Sequence, residues 1–145
     1  MDLAPLHVLL LGIPQEPWDY STPRRGARFK HDIAFWDAVV SRDGILVGVD
    51  AEGSIRGWDT TTGRRLYHRA VVSKADGPKR LTCSPDGRFV AISSRDVEPS
   101  VVIVLSLATA KEVRRVDLCT SPVFSPDGAV LAAADGGRIR RWSMK

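Results

Sequence analysis

The chain has 145 residues, enough for one domain with a sizeable core. With 43% hydrophobic and 26% charged residues it has the composition of a globular protein, which excludes disorder of the whole chain. Its formal net charge of +4 is well short of the density of a protein built to coat polyanions. The one apolar N-terminal run, residues 6–13, follows Asp2 rather than a basic flank and stops at Pro14, so a secretory signal is not expected. No run approaches the roughly 20 apolar residues that span a bilayer. Cys83 and Cys119 have no paired spacing, and a reducing cytoplasm is the expected location.

Residues 1–26 read as an N-terminal segment carrying one fragment of a unit. Trp18-Asp19 stands 40 residues before Trp58-Asp59. From residue 27 onward the chain reads as short strands separated by turns, with no helical period. The first unit, 27–72, predicts strands over 33–40, 45–49, 54–58 and 65–70. Its hairpin is Ala51-Glu52-Gly53, and a second turn covers 60–63. The second, 73–117, predicts strands over 79–83, 88–93, 101–107 and 112–116, with a longer loop at 95–99. The third, 118–145, predicts strands over 122–124, 129–134 and 138–142.

Two markers tie the units together. The turns Ser41-Arg42-Asp43-Gly44, Ser84-Pro85-Asp86-Gly87 and Ser125-Pro126-Asp127-Gly128 place their aspartates 43 and 41 residues apart. Pro presets φ there, Asp bonds the local backbone and Gly accepts positive φ. Trp58 lies 15 residues after Asp43, Trp142 lies 15 after Asp127, and Leu105 takes the equivalent place in the middle unit. Two anchors at matched spacing define a tandem repeat. Because the strand Val101-Val102-Ile103-Val104-Leu105 is apolar on both faces, it must sit between two layers.

The pattern resembles the WD40 repeat, with four strands per unit, a period just over forty residues and a Trp-Asp pair closing the third strand. The residues that carry the resemblance are Trp58-Asp59, preceded by Ser54-Ile55-Arg56, and the three Asp-Gly turns. His31 lies 12 residues before Asp43, where the family's histidine belongs. Asp43, Gly44, Trp58, Asp59, Asp86, Gly87, Asp127, Gly128, Trp142 and His31 are therefore assigned as structural repeat anchors. Lys30 replaces the family's Gly before His31, Lys74 and Arg115 hold the histidine position in later units, Glu52 stands where the b–c turn usually has Asp, and Gly48 where Ser often lies. The His-Ser-Asp-Trp cluster of the family is thus incomplete in every unit.

The resemblance implies an all-β protein of four-stranded propeller blades, non-catalytic and without cofactor, acting as a scaffold for a protein or peptide. Its candidate partner-binding rim comprises Glu52, Arg95, Asp96, Glu98, Lys74 and Asp76. Two alternatives stand beside it: a propeller module regulating a hydrolase or sensor domain supplied elsewhere, and a nucleic-acid binder using a basic rim. Arginine pairs Arg64-Arg65 and Arg114-Arg115 support the second, but aromatics interleaved for base stacking are missing, which argues against nucleic acid. His7, His31 and His68 lack metal-ligand spacing, and no phosphate loop or nucleophile elbow is present.

About three units are fewer than the 4–8 blades of a closed propeller. Leaving roughly 500 Å² of apolar blade face wet forgoes on the order of 10 kcal/mol, comparable to a domain's entire stability. The chain is therefore expected to self-associate into a ring, to build a fourth blade from its N-terminal segment, or to belong to a longer propeller. Residues 27–30 read as the fourth strand that completes the last blade. Arg141, at the alternation position of Gly57 and Val104, is read as a polar cap on the last face or as an arginine whose stem covers apolar surface.

Overall fold

The computed structural model describes residues 12–13, 27–28, 34–72, 79–94 and 100–145. Every regular element among them is a strand: β1 Gly12–Ile13, β2 Ala27–Arg28, β3 Phe35–Val40, β4 Ile45–Asp50, β5 Ser54–Asp59, β6 Arg65–Ala70, β7 Lys79–Cys83, β8 Phe89–Ser94, β9 Val101–Ser106, β10 Glu112–Asp117, β11 Thr120–Phe124, β12 Val130–Asp135 and β13 Arg138–Ser143. Strands adjacent in sequence pair antiparallel, giving sheets β3-β4-β5-β6, β7-β8-β9-β10 and β11-β12-β13, with β1 and β2 as a separate ribbon.

Alternation along each strand decides which neighbour it meets. Val47 and Val49 of β4 and Ile55 of β5 turn toward the second sheet, where they pack with Leu81, Val90, Ile92, Ile103 and Leu105. The intervening Leu46 and Trp58 turn the other way and pack with Ala38, Phe35 and Val40. The second sheet uses its other face, Ala91, Val102, Val104 and Val116, against Leu131, Ala133, Trp142 and Met144 of the third. Val102, Ile103 and Val104 are all fully buried, as a strand between two layers requires. Along the inner edge, an Asp37 carboxylate oxygen on β3 accepts the Leu81 N–H on β7 at 2.9 Å, bonding the first sheet directly to the second.

The register repeats with the sequence. Leu46 faces Trp58, Val90 faces Leu105, and Leu131 faces Trp142, so Leu105 occupies the tryptophan's place in the second sheet. The turn after the third strand also recurs. The N–H of Gly63 donates to the Asp59 carbonyl and that of Ala110 to the Ser106 carbonyl, and both residues lie in the left-handed region, at φ 73 and 57.

The expectation that residues 27–30 complete the last blade is corrected for Ala27–Arg28, while residues 29–30 lie outside the described residues. β2 pairs with β1, Gly12 facing Arg28 and Ile13 facing Ala27. The third sheet has three strands among the described residues. The sequence reading placed a strand correctly at Ala27–Arg28 but could not choose its partner, because two-residue pairing carries almost no side-chain specificity.

Candidate binding surfaces

The three Asp-Gly turns stand on one another. Each closes with a backbone bond from Gly44, Gly87 or Gly128 N–H to the carbonyl of Ser41, Ser84 or Ser125. The three glycines have φ between 70 and 78, where a side chain would be strained. A Cβ on Gly87 would come within 2.5 Å of Asp43 Oδ2, and one on Gly128 would collide with the Asp86 carboxylate, so each aspartate abuts the next unit's glycine. Asp86 accepts from the Ser84 hydroxyl at 2.6 Å and from Arg88 Nε at 2.6 Å, and Asp127 accepts from the Ser125 hydroxyl at 2.6 Å and the Ala129 N–H at 3.0 Å. Partial burial opposes it, yet the bonds from Ser84 and Arg88 hold the Asp86 carboxyl below the usual range. The Ser125 and Ala129 bonds do the same for Asp127. Asp59 of the Trp-Asp pair binds the N–H groups of Thr61 and Thr62 at 2.8 and 3.2 Å, while the Thr60 hydroxyl donates to the Gly44 carbonyl at 2.7 Å.

Glu52 is exposed at the tip of the first hairpin, its N–H bonded to Asp50. Asp50, absent from the sequence assignment, holds this hairpin. Fully buried, it accepts the N–H groups of Glu52 and Ser54 through Oδ1 and pairs with Arg56 through Oδ2 at 3.1 Å. The Arg56 guanidinium lies 5.9 Å above the Phe35 ring, and that ring is 6.1 Å from Trp58. A Cβ on Gly48 would sit 2.9 Å from Phe35, so the missing serine makes room for an aromatic contact. Asp135 and Arg140 repeat the Asp50–Arg56 pair in the third sheet at 3.5 Å. The paired Asp and Arg spacings of 85 and 84 residues were a signal available in the sequence. His31, Lys74, Asp76, Arg95, Asp96 and Glu98 lie outside the described residues.

A cleft of about 570 Å³ opens between the inner strands of the second and third sheets, lined by Arg80, Leu81, Thr82, Ser93, Ser94, Thr120, Ser121 and Pro122. Arg80 is exposed there, whereas Ser94 is buried and its hydroxyl oxygen has no hydrogen-bond partner among the described residues. Ser94 directly precedes the 95–99 loop of the sequence-assigned rim.

Among the described residues the basic side chains lie both at turns, as Arg42, Arg64 and Arg88 do, and on strands. Arg65 and Arg69 lie on β6, Arg114 and Arg115 on β10, and Arg138, Arg140 and Arg141 on β13, so they spread along outer strands. Arg141 is exposed opposite Ala132, but Ile139 and Val123 share that face and are 75% and 59% exposed. The polar-cap expectation is therefore corrected: the last face is mixed, apolar with one cation. Cys83, half-buried, has its thiol pushed up to about 12 by burial, and burial also raises the fully buried Cys119. Neither has the depressed value of a reactive thiol. Among the described residues no three His, Cys, Asp or Glu side chains gather as a metal site. No helix among them is long and apolar enough to cross a membrane.

Sheets of sequentially paired strands, stacked face to face with a Trp or Leu at one repeated register, define blades of a WD40-type β-propeller. Known structures show the same fold. The structure of U3-55K matches over 80% of this chain and 38% of its own, with a TM-score of 0.61 and 16% identity. The RRP9 WD40 repeats match over 80% and 37%, with a TM-score of 0.58 and 17% identity. KlAtg21, solved in complex with a coiled coil of AgAtg16, matches over 81% and 39%, with a TM-score of 0.59 and 20% identity. The chain thus spans well under half the length of the structures it resembles. No protein-family model matches it, and no curated protein matches it in sequence.

Proposed function

We propose that this chain is a non-catalytic binding scaffold whose inner cleft receives an extended peptide segment of a protein partner. The observation that carries the reading is the cleft between the second and third sheets. It offers the Arg80 cation, several hydroxyls, and the buried Ser94 oxygen, which has no partner among the described residues. A buried hydroxyl left unbonded costs on the order of 1–3 kcal/mol, so a ligand group that bonds Ser94 gains more than a surface contact. A carboxylate near Arg80 supplies the second contact. Among the resembling structures, KlAtg21 holds a coiled coil of another protein, which accords with a scaffold role.

Selection from a displayed peptide library tests the proposal. Peptides retained by the unaltered chain are expected to carry an acidic residue and to lose at least about tenfold in affinity against Arg80→Glu or Ser94→Ala. Alanine across residues 95–99 should weaken them without unfolding the protein. Peptides indifferent to all three changes would overturn the cleft as the binding place. Tight binding of DNA or RNA that collapses with added salt would instead favour a nucleic-acid binder.

A further inference from the structure

The third strands of the three sheets hold equivalent places, yet their surroundings differ. β5 and β9 are almost wholly buried between a second and a fourth strand. β13 has five exposed residues of six, and among the described residues no strand pairs with its outer edge. Such an edge presents unpaired backbone donors and acceptors, which an extended segment can bond by strand addition. Its sequence, Arg138-Ile139-Arg140-Arg141-Trp142-Ser143, carries three cations and an exposed isoleucine. We propose that β13 recruits an extended acidic strand of a partner protein, added antiparallel as the fourth strand of the third sheet.

The first two sheets supply the register. In the first, Ile55, Arg56 and Gly57 face Arg69, His68 and Tyr67. In the second, Val102, Ile103 and Val104 face Val116, Arg115 and Arg114. The same placement puts incoming residues opposite Arg138, Ile139, Arg140 and Arg141. Cross-strand pairs favour opposite charge and penalise like charge. The fitting strand, read in its own direction, is acidic opposite Arg141 and Arg140, apolar opposite Ile139, and acidic opposite Arg138. The apolar residue would join Ile139 and Val123 on the open face.

A second copy of β13 fits poorly. Antiparallel self-pairing centred on the strand sets Arg140 against Arg141, the arrangement that like charge opposes. Arg140 is partly engaged already, by Asp135 at 3.5 Å and by stacking 5.1 Å over Trp142, which leaves Arg138 and Arg141 as the freer cations. This edge lies on a different strand from the cleft residues, so the inference stands apart from the cleft.

The test is binding of a blocked TEEVET peptide to the 145-residue chain, with TKKVKT as control, followed by amide chemical shifts. TEEVET is expected to bind, to weaken with added salt, and to move amides of β13 and β12. Arg141→Glu should cost at least about tenfold in affinity and Arg138→Glu a similar amount. Arg80→Glu in the cleft should leave the amide shifts of β13 and β12 unchanged even where it weakens peptide binding at the cleft, which separates failure here from failure of the cleft. Both β13 arginines are exposed, so these variants should keep the parent's circular dichroism. Three results would overturn the proposal: equal binding of both peptides, shifts confined away from β12 and β13, or a dimer by light scattering that Ile139→Asp dissolves. The last would assign the edge to self-association.

Discussion

Ile55, Val102 and Ile139 occupy one position of the repeat and differ mainly in what lies across from them. Ile55 and Val102 are fully buried against the following sheet, whereas Ile139 is 75% exposed on the last face. The chain writes nearly the same third strand three times, so burial here is set by the neighbour and not by the residue. A blade therefore has no stability of its own that can be read from its strands. It draws that stability from the sheet stacked on each side.

Substitution at this position sharpens the comparison most. Ile55→Asp places an unpaired carboxylate in the core between the first two sheets and should cost at least about 4 kcal/mol, while Ile139→Asp should stay within about 0.5 kcal/mol. Urea denaturation of the two variants measures the gap, and similar losses would show that the last face is covered. The repeated ion pair comes next. Asp50 is fully buried and holds two N–H groups besides Arg56, so Asp50→Ala should cost about 3 kcal/mol. In Asp135→Ala the lost pair is half-exposed, and the cost should be at most about 1 kcal/mol. Equal costs would mean that the hairpins are held by something other than their aspartates.

The smallest effect contrasts an inner turn with the last one. Hydrogen bonds lower the carboxyl pKa of both Asp86 and Asp127 in the folded chain. A carboxylate depressed on folding adds stability above its unfolded pKa and loses it as pH falls through the folded one. The denaturation midpoint should thus drop as pH falls below about 4. Asp86→Asn should blunt that drop more than Asp127→Asn, because Asp86 also binds Arg88 Nε and abuts Gly128. A pH profile identical in both variants would place the acid sensitivity elsewhere.

Much of the fold was legible because strand and turn chemistry are local. Asp43, Asp86 and Asp127 marked turns through residues that accept unusual backbone angles, and Val101-Val102-Ile103-Val104-Leu105 declared a strand buried on both sides. Asp50 escaped notice because its role depends on three groups brought together only when the hairpin closes. Glu52 drew attention by family position, yet it points outward one step along the same turn. The cleft was illegible for a similar reason: Arg80, Ser94 and Thr120 come from three strands, and nothing in their spacing shows that they face one opening.

The sequence by itself determined the strands, their order and the tandem unit, since period-two alternation and Asp-Gly corners act over a few residues. Only the tertiary structure decided which sheet covers which, that Ala27–Arg28 pairs with Gly12–Ile13, and that no strand among the described residues pairs with the outer side of β13. Those outcomes turn on surface buried between segments far apart in the chain, a quantity that no local pattern carries.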